Sequence, residues 1–177
     1  HRHRVTIINC TPGMFYKIVE YEESSETKRL GTLRYVFLGG EPIAVKPLLH
    51  WLESSYHDAR LVNTYGPTEC TDVSNAFVVE EPRRYLEEPI PLGPPVNNVQ
   101  LYVVGKDNSL RPVGAPGELL IGGHSVGIGY VNDKALTGEK FFRHRFRPGE
   151  PERLLYRTGD LAKWKTDGTV EFLGRID

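Results

Sequence analysis

Three short apolar runs in the first part of the chain have the length and β-branched character of buried strands. The first two occupy residues 5–9 and 33–38, and the third begins at residues 61–62. The segments between them instead place apolar residues at helical spacing. Because strand, helix, strand, helix and strand follow each other with short connections, the pattern predicts a βαβαβ unit with a mostly parallel sheet.

The first helix is predicted to begin at Thr11 and Pro12, with the threonine as N-cap and the proline at the first helical position. Met14, Ile18 and Tyr21 recur at helical spacing, and we expect them to form its apolar face. The polar stretch that follows, residues 22–28, is predicted to be a loop. The second helix takes its apolar stripe from Val45, Leu48, Leu49 and Leu52.

The composition of the chain changes near residue 82, where several closely spaced prolines begin and exclude a helix. Beyond these prolines, one short helix is predicted over residues 133–141, and strands over 99–104, 117–121, 154–157, 162–165 and 169–173. Asp167 and Gly168 form a hairpin signal between the last two of these strands. The predicted fold class is therefore α/β followed by mainly β. Residues 1–82 form part of a parallel sheet, and residues 83–177 form an antiparallel sheet or distorted β-barrel.

Composition describes an ordinary soluble protein, with 39% hydrophobic residues and a formal net charge of −1 over 177 residues. Since 22 basic residues are balanced by 23 acidic ones, we expect no nucleic-acid partner. No apolar run approaches the roughly 20 residues needed to span a bilayer, so no membrane contact is expected. The two cysteines lack metal-binding or disulfide spacing, which favours a reducing cytoplasm.

The sequence NTYGPTE, residues 63–69, follows the third predicted strand and is polar where a core would be apolar. It combines a Gly-Pro turn with two threonine hydroxyls and the carboxylate of Glu69. In open α/β sheets, ligands bind beyond the carboxyl ends of the strands, and this is where the segment falls. The alternative is an ordinary β-turn closed by Gly66 and Pro67.

Further motifs follow NTYGPTE in a fixed order. They are GELLIGG (117–123) with GIGY (127–130), YRTGDL (156–161) and GRID (174–177). In order and approximate spacing, this series resembles the amino-acid adenylation domains of non-ribosomal peptide synthetases. Those domains belong to the AMP-forming synthetase superfamily, together with acyl-CoA ligases and luciferases. The resemblance covers nearly the whole chain and corresponds to the C-terminal half of the family's large subdomain.

The resemblance implies an enzyme that uses ATP and Mg²⁺ to convert an amino acid into an aminoacyl adenylate and pyrophosphate. It also implies a second step, in which the acyl group passes to the phosphopantetheine thiol of a peptidyl carrier domain. Besides the carrier domain, the resemblance implies a second protein partner, the family's small C-terminal subdomain of the same chain. Phosphoryl transfer of this kind depends on positioning and charge neutralisation more than on covalent help from protein.

By the same resemblance, residues around NTYGPTE hold the nucleotide. Glu69 is implied as the Mg²⁺ ligand and Thr68 as a hydroxyl for the α-phosphate, so these two are the candidate catalytic residues. The adenine is assigned to the loop and the preceding strand end, namely Gly39, Gly40, Glu41, Asn63, Thr64, Tyr65 and Gly66. For each of these residues a purely structural role, as a turn, core or surface residue, is the alternative.

Three later residues complete the implied nucleotide site. Asp160 can accept both ribose hydroxyls, with a turn-capping carboxylate as the alternative. Arg175 is placed to approach the ribose or a phosphate, or to form a surface salt bridge. Phe172 occupies a family position that is aromatic, and only packing is expected of it. Asp177 corresponds to the hinge on which the family's C-terminal subdomain rotates.

Positions counted from the motifs give an implied substrate pocket of Asn9, Phe37, Gly39, Thr64, Asp72 and Val73. Among these, Asp72 places a carboxylate inside an otherwise apolar and roomy pocket. An unpaired buried carboxylate is costly, and a cationic partner offsets that cost. We therefore expect a basic or polar amino acid as substrate, with arginine or lysine ahead. The alternative is that Asp72 points to solvent or bonds Thr71.

The sequence also departs from the family pattern. The glycine- and serine-rich phosphate loop, the aspartate that pairs the substrate amino group and the C-terminal catalytic lysine have no counterparts here. Ile128 stands where the family usually has arginine. We expect the 177-residue piece alone to be catalytically silent. Two other functions remain open, namely an acyl- or aryl-CoA ligase and a nucleotide-binding module without turnover.

Overall fold

The structure is a computed structural model that describes residues 3–176. Its Cα atoms cluster into two compact units. The first contains the chain up to Thr64 together with Phe77–Ile90, and the second contains Tyr65–Ala76 together with the chain from Pro91 onward. The chain therefore passes from the first unit to the second inside the NTYGPTE motif and returns at Phe77.

The first unit is built on a sheet of strand order β1-β2-β3-β4. Its elements are β1 (Ile7–Cys10), α1 (Pro12–Ser24), β2 (Tyr35–Gly39), a 3-10 turn (Lys46–Leu48), α2 (Leu49–Leu52), β3 (Arg60–Tyr65), β4 (Asn75–Val78) and a second 3-10 turn (Pro82–Leu86). The β1–β2 and β2–β3 pairs are parallel, with Ile7 opposite Tyr35 and Tyr35 opposite Arg60. The predicted βαβαβ arrangement is thus confirmed.

Helix α1 begins at Pro12 after Thr11, as predicted, but its buried face differs from the predicted one. Met14 and Tyr21 are exposed, with 61% and 58% of their surface accessible. The residues that face the core are instead Pro12, Phe15, Val19 and Glu22. The predicted and the observed faces both have helical spacing, and the presence of Glu22 made the observed face look polar in the sequence. The prediction of a loop from residue 22 was wrong for the same reason, since the helix continues to Ser24.

Glu22 is buried because its carboxylate caps the chain that follows the helix. Only 1% of its surface is exposed, and its Oε1 accepts the backbone N–H groups of Arg29 at 2.6 Å and Leu30 at 2.9 Å. These two donors lie in a segment without regular secondary structure, where no neighbouring strand or helix turn supplies an acceptor. The glutamate therefore organises the connection between α1 and β2.

Replacing Glu22 with Met should lower the free energy of unfolding by about 3 kcal/mol, because methionine fills the space and leaves two backbone donors without an acceptor. Urea denaturation followed by circular dichroism measures this loss. Glu20→Met on the same helix is the matched control, because Glu20 is exposed and pairs only with exposed Lys17. It should change stability by less than about 0.5 kcal/mol. Equal losses in the two variants would contradict a capping role.

The core of the first unit contains a histidine in a neutral form. The ring of His57 stacks on Trp51 with centroids 4.1 Å apart. Its Nε2 donates to the carbonyl oxygen of Trp51 at 2.8 Å, and its Nδ1 accepts the N–H of Ala59 at 3.0 Å. Burial lowers the pKa of His57 below its ordinary value of 6.5, although the Trp51 carbonyl and nearby Asp58 and Glu22 act in the opposite direction.

Since the pKa of His57 is lower in the folded than in the unfolded chain, protonation favours unfolding. Its contribution to stability should be complete above about pH 6.5 and be lost as the pH falls from there toward the folded-state pKa. Urea unfolding between about pH 7.5 and pH 5.5 should show this decrease. His57→Asn should flatten the profile, whereas His50→Asn, at a side chain 87% exposed, should not. An unchanged slope in His57→Asn would contradict the assignment.

The second unit contains an antiparallel sheet of order β5-β6-β8-β7, with β9 paired to β8. The strands are β5 (Val99–Val104), β6 (Gly117–Gly123), β7 (Phe141–His144), β8 (Arg153–Trp164) and β9 (Val170–Arg175), with α3 (Lys134–Lys140) before β7. The sheet does not close within the residues that the structure describes, so a barrel is not confirmed. Strand β7 was not predicted.

Strand β8 replaces two predicted strands, residues 154–157 and 162–165, and the reason lies at Gly159. This glycine has φ +71°, a value typical of a turn, and its sequence neighbours Thr158 and Asp160 also suggest one. The strand absorbs the irregularity because its register with β9 shifts between Leu161 and Ala162. The predicted hairpin at Asp167 and Gly168 is confirmed.

Within residues 3–176, no helix has both the length and the apolar character that crossing a bilayer requires.

Candidate functional site

The NTYGPTE motif begins inside β3 and ends in a 3-10 turn, Thr68–Cys70. In the first unit, Asn63 and Thr64 are buried with 7% and 6% of their surface exposed. In the second unit, Thr68 is exposed and Glu69 is half-buried. The motif thus presents polar side chains from the end of a buried strand, as the sequence predicted.

Gly39 lies directly opposite Thr64 in the parallel pairing of β2 and β3. A Cβ atom added to Gly39 would lie 2.8 Å from the carbonyl oxygen of Thr64, and the Thr64 hydroxyl donates to the carbonyl oxygen of Leu38 at 3.1 Å. The missing side chain at Gly39 is therefore required by the contact between the strands. Gly40 follows with φ +84°, which turns the chain away toward exposed Glu41.

In the second unit, the carboxylate of Glu69 meets two tyrosines from other elements. The hydroxyl of Tyr130 donates to its Oε1 at 2.5 Å, and the hydroxyl of Tyr156 lies 3.4 Å from that of Tyr130. Burial alone would raise the pKa of Glu69. Hydrogen bonds from Tyr130, its own backbone and Tyr156, together with the charge of Lys140, hold the pKa below its usual range. Glu69 is therefore an ionised carboxylate at neutral pH.

A second carboxylate of the same unit, Asp160, is buried with 7% of its surface exposed. The hydroxyl of Tyr65 donates to its Oδ2, and Arg175 donates from Nη1 to its Oδ1 at 3.1 Å. The backbone N–H of Asp160 donates to the hydroxyl of Thr158 at 3.0 Å. Burial, and then the nearby Asp160 charge, raise the pKa of Tyr65, so its hydroxyl keeps its proton as a donor. The contact joins the NTYGPTE and YRTGDL motifs.

The residues of the implied substrate pocket differ in exposure. In the first unit, Thr64 is buried, Phe37 and Gly39 are half-buried and Asn9 is exposed. In the second unit, Val73 is half-buried, whereas Asp72 is exposed and has a left-handed backbone with φ +67°. The expectation that the Asp72 carboxylate is buried was therefore wrong. Its place in a turn, where an exposed carboxylate is fully hydrated, explains the difference.

The remaining predicted residues that the structure describes make no hydrogen bond to either carboxylate. Phe172 is half-buried and packs against the core of the second unit, as expected of an aromatic residue there. Gly66 lies in the tight turn after β3. Ile128 is 95% exposed. Asp177, the predicted hinge, lies outside the described residues.

The described residues contain no group of three or more His, Cys, Asp or Glu side chains that could hold a metal ion alone. Magnesium is commonly bound by one or two carboxylates that share it with phosphate oxygens of a substrate. A single ionised, half-buried carboxylate such as Glu69 fits that arrangement. Among the described residues, no set of side chains could coordinate the ion without help from a substrate.

The sequence reasoning gave no role to Tyr130, Tyr156 or Thr158, which surround the two carboxylates. Tyr130 is the last residue of GIGY and Tyr156 is the first residue of YRTGDL, so both tyrosines are visible within the motifs. Thr158 donates to the carbonyl oxygen of Leu119 at 2.7 Å and accepts from Asp160, and thereby fixes the irregular part of β8.

Comparison with known proteins decides the family. A sequence profile described as "AMP-binding enzyme" matches residues 1–131. The chain belongs to the AMP-binding enzyme family. Its sequence is 45% identical over 146 residues to tyrocidine synthase 3 of Brevibacillus parabrevis, a match that covers 82% of this chain and 2% of that protein. It is 44% identical over 173 residues to surfactin synthase subunit 2 of Bacillus subtilis, covering 98% of this chain and 4% of that protein.

Solved structures agree with this place within the AMP-binding family. PA1221, described as a non-ribosomal peptide synthetase protein containing adenylation and carrier domains, superimposes with a TM-score of 0.83 at 29% identity. The match covers 97% of this chain and 33% of that chain. The chain is thus a portion of an adenylation domain of the non-ribosomal peptide synthetase type, as its motifs indicated. It spans only a small part of each curated relative.

Proposed function

We propose that this chain forms part of an enzyme that activates an amino acid with ATP and transfers it to a phosphopantetheine carrier. The observation that carries the proposal is the joining of two distant motifs around a buried carboxylate. Tyr65 of NTYGPTE donates to Asp160 of YRTGDL, 95 residues later. A buried, charged oxygen pair is well suited to recognise adjacent hydroxyl groups such as those of a ribose.

In the proposed reaction, the carboxylate oxygen of the amino acid attacks the α-phosphorus of ATP, and the bond to the β-phosphate oxygen breaks. Pyrophosphate leaves and an aminoacyl adenylate remains. In the second step the thiolate of the carrier attacks the acyl carbon and AMP leaves. The similarity to PA1221, a protein that contains adenylation and carrier domains, supports the carrier as partner. The small C-terminal subdomain of the family is the second proposed partner.

The residues of this chain would hold and orient the nucleotide. Asp160 would accept the ribose hydroxyls while Arg175 offers a positive charge beside them. Glu69 would hold Mg²⁺, which neutralises phosphate charge when it is bound. Thr68, whose side chain is exposed, would donate to a phosphate oxygen. For the adenine we propose the residues that the family resemblance implies, with Phe172 as a packing residue, namely Gly39, Gly40, Glu41, Asn63, Thr64, Tyr65 and Gly66.

The amino-acid side chain would be selected by Asn9, Phe37, Gly39, Thr64, Asp72 and Val73. With Asp72 exposed, an attraction to a cationic substrate would come from its charge rather than from burial. A basic or polar amino acid, with arginine or lysine preferred, is the proposed substrate. We further propose that residues 1–82 and 83–177 act as separate parts, that the second belongs to a distorted barrel, and that Asp177 is a hinge.

ATP–pyrophosphate exchange tests the proposal in the full-length protein that contains this chain. Each proteinogenic amino acid is supplied in turn, and isotope should enter ATP with one amino acid preferred. The 177-residue chain alone should show no exchange. Exchange with fatty or aryl acids, followed by formation of a CoA thioester, would identify an acyl-CoA ligase instead. Nucleotide binding without exchange for any acid would identify a silent binding module.

A further inference from the structure

Two tyrosine hydroxyls converge on the carboxylate of Glu69 in the second unit. Glu69 lies in the 3-10 turn Thr68–Cys70, Tyr130 lies in the loop before α3, and Tyr156 lies in β8. Tyr130 donates to Glu69 Oε1 at 2.5 Å, and Tyr156 extends the chain of hydroxyls at 3.4 Å. Three elements that are distant in sequence thus meet at one carboxylate.

The position of Tyr130 is fixed by its own loop. Its backbone N–H donates to the hydroxyl of Thr137 in α3 at 2.9 Å. The preceding Gly129 has φ +140°, and a Cβ atom there would lie 2.9 Å from the same hydroxyl. Asp133 caps α3 by accepting the N–H of Leu136 at 2.8 Å. A glycine, a cap and a threonine therefore hold the tyrosine where it can reach Glu69.

The loop is also attached to the backbone of Glu69. The N–H of Gly127 donates to the carbonyl oxygen of Glu69 at 2.8 Å. Both the backbone and the side chain of Glu69 are therefore bonded to the loop at residues 127–130. A glutamate that served only as a hydrated surface charge would gain nothing from two hydroxyl partners that restrict its rotation.

Packing holds the two rings independently of their hydroxyl groups. Phe141 packs edge-on against Tyr130, with centroids 5.5 Å apart, and in a tilted arrangement against Tyr156, with centroids 5.0 Å apart. Tyr156 is buried, with 5% of its surface exposed. Because the rings are held by Phe141, phenylalanine can replace either tyrosine and remove only the hydroxyl. Packing therefore explains the presence of the two aromatic rings but not of their two hydroxyl groups.

We propose that Tyr130 and Tyr156 are positioning residues that fix the carboxylate of Glu69 in the orientation in which it binds the divalent cation accompanying ATP. The inference rests on the proposed function of Glu69 as a metal ligand. Partners that hydrogen-bond a liganding carboxylate orient it, and their loss typically weakens metal binding or activity by about 10–100-fold. Tyr130 donates directly to Glu69, and Tyr156 supports it both through the Tyr130 hydroxyl and by its own interaction with the carboxylate.

Binding of Mn²⁺, measured by electron paramagnetic resonance, tests this in the full-length protein saturated with α,β-methylene-ATP. Tyr130→Phe should weaken Mn²⁺ binding by about 10-fold, and Tyr156→Phe by a smaller factor. The matched control is Tyr102→Phe, because Tyr102 lies in β5 and its hydroxyl accepts from Arg153 instead. Its Mn²⁺ affinity should stay within about twofold of the parent protein. Near-ultraviolet circular dichroism should show that the aromatic packing survives in all three variants.

Glu69→Gln distinguishes the metal-binding role of Glu69 from the positioning role of Tyr130 and Tyr156. If Glu69→Gln loses Mn²⁺ binding while Tyr130→Phe retains the parent affinity, the positioning role is overturned and the metal role of Glu69 stands. If Glu69→Gln also retains the parent affinity, the metal role of Glu69 is overturned, and the positioning role with it. Weaker binding in Glu69→Gln and in Tyr130→Phe, with Tyr102→Phe unaffected, supports both.

Discussion

Replacing Asp160 with Asn is expected to raise the KM for ATP about 100-fold in pyrophosphate exchange by the full-length protein, with a smaller change in kcat. Each hydrogen bond from a ribose hydroxyl to a carboxylate contributes about 1.5–3 kcal/mol, and a loss of about 3 kcal/mol corresponds to roughly 100-fold. The asparagine keeps the size of the side chain and can still accept from Tyr65. Its amide NH2 group then faces Nη1 of Arg175, which pairs with Asp160 in the parent protein, so urea denaturation of the variant should accompany the kinetic measurement and separate a loss of stability from a loss of ATP binding.

The matched control for this variant is Asp167→Asn in the turn between β8 and β9. Asp167 is exposed and accepts from the hydroxyl of Thr169 at 2.6 Å. Its KM for ATP should stay within about twofold of the parent value. Equal KM values for Asp160→Asn and the parent protein would show that the Asp160 carboxylate does not recognise ATP.

Replacing Gly66 with Ala should lower the free energy of unfolding by about 3 kcal/mol, because the turn after β3 has no room for a side chain. A Cβ atom at Gly66 would press against the carbonyl oxygen of Asp72 and lie 2.7 Å from the backbone nitrogen of Ser74. Ser74 donates from that nitrogen to the carbonyl oxygen of Tyr65 at 2.8 Å. The added methyl group would thus push apart Tyr65 and Ser74, which are held together by this backbone hydrogen bond. Urea denaturation measures the loss.

Gly138→Ala provides the opposite control within the same unit. Gly138 lies in α3, is exposed, and has no atom within 4 Å of an added Cβ. Alanine favours the helix there, so the variant should be more stable by about 0.5–1 kcal/mol. If Gly66→Ala were as stable as the parent protein, the close approach around Gly66 could not be a requirement of the fold.

Much of the fold could be predicted because strand length and hydrophobic patterning report local structure directly. The parallel order of β1, β2 and β3 followed from the alternation of strands with helices. The buried face of α1 could not be predicted from hydrophobicity, since Glu22 is buried by backbone donors seven and eight residues later. Strand β8 was divided in two because Gly159 looks like a turn, and only its pairing with β9 shows that it is an irregular strand.

The candidate site shows the same division between local and long-range information. The motifs single out Glu69 and Asp160 from the sequence alone, and for Glu69 the signal is a polar segment that follows a buried strand. Their partners Tyr130, Tyr156 and Tyr65 are 61, 87 and 95 residues away from them, so the hydrogen bonds depend on the tertiary fold. The exposure of Asp72 could not be read from the sequence either, because it depends on the left-handed turn at Thr71 and Asp72.

We propose above that the NTYGPTE and YRTGDL motifs of this chain hold the nucleotide of an adenylate. A crystal structure of the full-length protein with a non-hydrolysable aminoacyl-adenylate analogue and Mg²⁺ tests it most directly. We expect both ribose hydroxyls to lie within hydrogen-bond distance of the Asp160 carboxylate, the adenine to lie beside Tyr65, and the cation to be bound by Glu69. An analogue bound elsewhere, with Asp160 contacting only Tyr65 and Arg175, would contradict it.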